Sequence, residues 1–258
     1  MCRLCEQARQ LNDPNLLARA AKSHSAYSKP NLISKAFSGF TQSVVNYNKV
    51  NFNQGEELWY YLEDEPDIYE LVDDTEITAY DHSNQDEAFI ESVFKSVDEK
   101  IDLDFKRVTD IDVADIVIYS FESMDHWAFR DMKSILGRAA SQGDYGPWWD
   151  MLWKDTDNIQ ELSKQDKYTI VHEIGHVLGL SHPNEDPRNP TWNYQDTVMS
   201  YNTGDLNGWN LFFTPLDIDA LVSIWGKEDD NTNRPTYNVT NTNIINEIDN
   251  TFTGATKT

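Results

Sequence analysis

Three of the chain's six histidines fall at positions 1, 5 and 11 of the stretch His172-Glu173-Ile174-Gly175-His176-Val177-Leu178-Gly179-Leu180-Ser181-His182, an HExxHxxGxxH pattern. Residues four apart project from one face of a helix, so His172 and His176 can both offer imidazole nitrogens to one metal ion at about 2.0–2.1 Å. Gly179 can take the positive φ that turns a backbone sharply, which brings His182 back as a third ligand from outside the helix. Three neutral nitrogen donors leave the fourth position of a Zn2+ ion to water, the arrangement of a catalytic rather than a structural zinc. Glu173, beside the first ligand, is placed to take that water's proton as general base and later return it to a leaving amine. The chemistry implied is hydrolysis of an amide, foremost a peptide bond. Against it stands a plainer reading in which the histidines only line a helix surface; five matched positions in eleven favour the metal site.

These residues need a helix, a sharp turn and a supporting layer. From Ile159 through Leu162, Tyr168, Ile170, Val171, Ile174, Val177 and Leu178 the apolar spacing predicts the helix that carries the motif, and Pro183 ends any continuation. A polar loop over residues 184–196 and a short apolar segment at 197–201 follow. Thr214 as N-cap, Pro215 at the first helical position, then Leu216, Ile218, Leu221, Val222 and Trp225 predict a last helix closing at Gly226. Upstream, Ala88, Phe89, Val93, Phe94, Val97 and Ile101 form one stripe of an amphipathic helix over residues 85–101. Residues 58–63, 105–108 and 114–121 read as strands. Residues 122–160 carry Trp127, Trp148, Trp149 and Trp153 among Asp, Gly and Pro, and predict a long aromatic loop that covers a sheet edge or touches substrate. The order of elements implies an α+β fold.

Charge narrows the partners. The 258 residues hold 21 Lys/Arg and 44 Asp/Glu, a net charge of −23, which argues against nucleic acid and anionic membrane surfaces. No apolar run reaches the length of a membrane helix, and no continuous apolar segment of a Sec-type signal peptide stands at the N-terminus. Membrane insertion is therefore not expected. The two cysteines, Cys2 and Cys5, leave the rest of the chain without a disulfide framework. Residues 1–50 hold seven basic and two acidic side chains, whereas the remainder is strongly acidic. That break predicts a basic N-terminal arm or prosegment over 1–50, with a short helix after Asp13-Pro14, and a catalytic domain over 51–226. Residues 227–258, rich in Asn and Thr, read as a linker or tail.

The motif resembles the elongated zinc signature of the metzincin metallopeptidases, in which HExxHxxGxxH is followed by a Met-turn. Met199, in Thr-Val-Met-Ser-Tyr, matches the methionine that floors the metal site. Pro183 directly after the third histidine and Tyr201 two residues after Met199 are most similar to the serralysin-like group. By that resemblance Tyr201 approaches the metal and stabilises the oxyanion, a task that suits a phenol. The resemblance implies a zincin-like α+β domain: a twisted mixed sheet packed on two long helices, with a C-terminal subdomain after the zinc helix. It also implies Zn2+ held by His172, His176 and His182, and an extended polypeptide substrate lying along an edge strand. The action expected is that of a secreted or extracellular enzyme without an N-terminal signal peptide, with a cytoplasmic location as the alternative. A monomer is expected. No GGxGxD calcium repeat occurs, and no PRCGxPD-type sequence of matrixin proforms. The alternative function is a catalytically silent zinc-containing pseudo-protease that binds peptide or another polymer; a different amide, such as a cell-wall peptide, is a third reading.

Overall fold

The computed structural model describes residues 29–52, 54–70, 75–126, 135–142, 147–155, 162–203 and 209–229. Among the described residues four α-helices, α1 (Lys35–Asn51), α2 (Asn84–Asp98), α3 (Lys164–Val177) and α4 (Pro215–Trp225), combine with seven strands. The strands are β1 (Glu57–Leu62), β2 (Ile68–Glu70), β3 (Thr75–Tyr80), β4 (Asp104–Arg107), β5 (Ile116–His126), β6 (Gly137–Gln142) and β7 (Trp148–Lys154). They form one mixed sheet, so the α+β expectation holds. Strand β5 is its spine: β1 and β7 run parallel to it, and β3 runs antiparallel. Strand β6 pairs antiparallel with β7 and carries no other strand among the described residues.

Alternation of side chains sorts the sheet's two faces. Leu58, Tyr60 and Leu62 of β1, Ile116 and Ile118 of β5, and Trp149, Met151 and Trp153 of β7 meet the helices in one core. Val117, Tyr119, Phe121 and Leu152 point the other way, into a smaller cluster with Ile77 and Ala79. Helices α2, α3 and α4 all begin at capping boxes, Ser83 with Asp86, Ser163 with Asp166, and Thr214 with Asp217. In each, hydroxyl and carboxylate satisfy two otherwise orphaned amides, which fixes where the helix starts.

Two expectations need correction. The charge break near residue 50 falls at the last turn of α1, and this helix belongs to the core: Phe40, Val44 and Val45 are buried there. Its far end is tied by Asn48, whose Nδ2 donates to Asp115 Oδ1 (2.6 Å), while Gln54 Nε2 (3.0 Å) and the Trp59 amide (2.7 Å) donate to Oδ2. Burial pushes Asp115 up to about 6 against the pull of those donors. Residues 29–51 are therefore packed into the folded unit and are not an arm; the helix expected after Asp13, with Cys2 and Cys5, lies outside the described residues. The aromatic loop expected over 122–160 also gives way, since its described parts are the end of β5 and strands β6 and β7. Trp149 and Trp153 are core residues, covering no edge, and Trp127 lies outside the described residues. At the other end Lys227 bridges to Ile101, and the tail from residue 230 lies outside the description.

A buried imidazole links this core to pH. His82 Nε2 faces Trp153 Nε1 at 3.2 Å, and because an indole only donates, Nδ1 carries the proton toward Glu63 O at 2.8 Å. Desolvation holds His82 down to about 4. The unfolded chain then binds this proton more tightly, so the neutral ring stabilises the fold above pH 6.5 and that stabilisation is lost as pH falls to 4. It amounts to about 3 kcal/mol. Melting temperatures of His82→Gln across pH 4–7 should fall less steeply than those of the native chain; parallel curves would remove His82 as the cause.

Candidate metal centre

Helix α3 carries His172, Glu173 and His176 on its buried length, and Gly179 leaves it with φ 102°. That left-handed turn, which the sequence anticipated, returns the chain so that His182 faces the helix. The three imidazoles stand with ring centroids 4.7, 5.3 and 4.9 Å apart, and one ligand atom from each lies within 4.8 Å of the others. His172 Nδ1 meets Val198 O at 2.7 Å and His176 Nδ1 meets Leu180 O at 2.9 Å. A carbonyl only accepts, so each Nδ1 bears the hydrogen and each Nε2 presents a lone pair toward the shared centre.

Burial, reinforced by the neighbouring rings, lowers His172 far below its ordinary value. His176 falls to about 3 and His182 to about 4 for the same first reason. All three are neutral at pH 7, as metal ligands must be. The Nε2 atoms of His172 and His182 are buried with no hydrogen-bond partner. Two such orphans beside a third imidazole are costly unless something else takes their lone pairs, and three nitrogen donors suit zinc.

Glu173 is not among the clustered ligand atoms and reaches β6. Its carboxylate accepts from the Ala139 amide, and desolvation raises it to about 8. A Cβ added at Gly137 would lie 2.6 Å from Glu173 Oε1 and 2.6 Å from Thr169 Cγ2, so only glycine lets the strand come this close. Sequence reading missed β6, whose Gly-Arg-Ala-Ala-Ser-Gln has little strand propensity; the small residues answer to the helix behind them. If the centre hydrolyses peptides with a bound metal, Gly137→Ala should displace Glu173 and lower kcat/KM on a peptide roughly 10²-fold with metal content unchanged. Full activity in that variant would mean that the carboxylate retreats without consequence.

Met199 is fully buried, and its Sδ would sit 2.7 Å from a Cβ on Gly175, within the motif. Its neighbour Val198 supplies the carbonyl that orients His172. The turn is held from α4: Thr197 Oγ1 and the Val198 amide (3.1 Å) both donate to Asp217, which also receives the Thr214 amide at 2.8 Å. Asp217 was visible in the sequence only as part of a helix start. Tyr201 lies at the open side, 47% exposed, its ring 5.3 Å from His172 and 5.0 Å from His182. Burial raises its hydroxyl above the usual tyrosine range.

The six residues singled out by spacing and resemblance, His172, Glu173, His176, His182, Met199 and Tyr201, thus lie in one region. The family model for matrixin (Peptidase_M10) matches residues 61–212, more than half of the chain. The chain belongs to the matrixin family of M10 peptidases. The match takes in the three histidines, Glu173, Met199 and Tyr201, and ends just before α4. This matrixin-family chain is also similar to Serralysin A of Dickeya chrysanthemi, 40% identical over 86 residues that cover 28% of this chain and 18% of that protein. The chain thus corresponds to well under two thirds of that relative. A solved structure described as the GM1 bound form of the ECX AB5 holotoxin overlaps 70% of this chain and 85% of its own at 15% identity, with a TM-score of 0.36.

Proposed function

We propose that this chain is a zinc-dependent endopeptidase. The observation that carries the reading is the convergence of three neutral imidazoles, two with orphaned Nε2 atoms, beside a buried carboxylate that does not join them. His172, His176 and His182 would hold Zn2+ through Nε2. When bound, the ion lowers the pKa of a water and polarises the scissile carbonyl. Burial alone raises Glu173 to about 8, but beside a bound Zn2+ its ionised form would be favoured, and that carboxylate would take a proton from the attacking water and deliver it to the departing amine; the Ala139 amide keeps it oriented. Tyr201 stands where its hydroxyl can donate to the oxyanion. The edge of β6 turned away from β7 offers backbone groups to an extended peptide, which would add to the sheet as a further strand.

The working unit on this reading runs from about residue 29 to 226, with the segment after His182 forming the far wall of the cleft. Action outside the cell follows from the resemblance to serralysins, and no helix among the described residues is long and apolar enough to cross a membrane. The test is release of fragments from a denatured protein, abolished by a chelator and restored by zinc, with cleavage sites mapped by mass spectrometry. Stoichiometric zinc with no cleavage across a broad peptide library would give the silent binding module instead.

A further inference from the structure

The turn from the second histidine to the third emerges from the C-terminal end of α3, where helix carbonyls lack partners within the helix. Distant segments supply them. Thr41 Oγ1 of α1 donates to Val177 O, Trp225 Nε1 of α4 donates to Leu178 O at 2.9 Å, and the Ser34 amide donates to Gly179 O at 2.9 Å. Residues 31–34 continue antiparallel along the turn. Ile33 bridges Leu180, the Ser181 amide donates to Leu32 O (2.7 Å), and the Asn184 amide donates to Asn31 O (2.9 Å). Asn184 Oδ1 in turn accepts from the Asn31 amide at 3.0 Å. His182 is therefore flanked on both sides by bonds to this one segment, and Leu180, whose carbonyl orients His176, lies under it.

Side chains lock the same contact. Pro30 and Leu32 are buried, and the Phe37 ring stands 5.3 Å from that of His176. A Cβ at Gly179 would come within 2.7 Å of Ser38 Cβ and 2.9 Å of Ser38 Cα, so α1 closes directly on the turn. The ion pair of Lys29 with Asp219 is exposed and adds little.

We infer that residues 31–34 are a clamp that positions His176 and His182, so the N-terminal segment belongs to the metal site and any maturation that leaves an active enzyme cuts before Pro30. The inference rests on the zinc reading above. Ser34 has φ −87°, which needs only a small backbone adjustment to reach the range of proline, and its side chain caps α1 through the Phe37 amide. Ser34→Ala and Ser34→Pro in the full chain both remove that cap, but only proline removes the amide bonded to Gly179 O. Expected for Ser34→Pro against Ser34→Ala is about tenfold faster release of zinc to a chelator and a shifted absorption spectrum of the cobalt-loaded protein. In the metal-free state the amides of Leu180, Ser181, His182 and Asn184 should exchange about tenfold faster, the effect of one lost hydrogen bond. Equal behaviour of the two variants overturns the clamp. Should Ser34→Pro not fold, Asn184→Gly keeps the left-handed turn at φ 54° yet deletes the acceptor of the Asn31 amide, and the same comparison with the native chain decides. A native chain that binds no zinc would defeat the zinc reading alone, because the exchange rates of the metal-free proteins still test the clamp.

Discussion

Replacing Glu173 with alanine is expected to lower kcat/KM on a peptide by about 10²-fold to 10⁴-fold, the range for a positioned proton-transfer group, while zinc content stays unchanged. Metal retention follows from geometry: the carboxylate is held by the Ala139 amide of β6 and is not among the three clustered ligand atoms. The same variant should be more stable than the native chain when both are metal-free and alkaline. Glu173 is raised to about 8, above its unfolded value near 4.5, so the folded state holds this proton more tightly. Its favourable contribution is complete below pH 4.5 and disappears as pH rises through 8, where a charged, desolvated carboxylate remains with one donor. Denaturation at pH 9 and steady-state kinetics would together check both halves. Activity within tenfold of native would remove Glu173 as the base.

Asp217→Asn should cost about 2–4 kcal/mol of stability, the range for buried donors left facing the wrong group. The native carboxylate is wholly buried and accepts from Thr197 Oγ1, Val198 N and Thr214 N. An amide of the same shape must point its own donor at one of them. Burial already raises Asp217 above its ordinary value in spite of those bonds, which marks how little solvent is present to compensate. The loss should reach the metal through Val198, whose carbonyl holds His172, so weaker zinc retention accompanies it. Urea midpoints and chelator competition measure the two effects; a change under about 0.5 kcal/mol would place Asp217 among ordinary surface-like substitutions.

What could be read in advance was local. His172 and His176 share a face because a helix repeats every 3.6 residues, Gly179 stands where only a left-handed turn continues the chain, and Thr214-Pro215 is a helix start by its own chemistry. Helix α1 was less legible, although Phe37, Phe40, Val44 and Val45 recur at helical spacing. Its polar Ser, Thr and Asn residues dilute the stripe, and its stability comes from packing on α3 and β7. Strand β7 was hidden because neither face meets water: five successive residues from Trp149 to Trp153 are buried, so the alternation that reveals a strand is absent. Strand β6 and Asp217 were illegible for another reason, since their roles are set by partners far away in sequence.

The bonds that close the end of α3 also dictate when the site can exist during folding. Thr41 and Val177 are separated by 136 positions, and Trp225 and Leu178 by 47. Such non-local contacts must wait for loop closure, which slows their formation. Helix α3 can form early, but His182 gains its place only when residues 31–34, the motif and Trp225 have docked. A chain leaving the ribosome would hold all three histidines well before it could arrange them, and the histidine cluster would assemble late in folding.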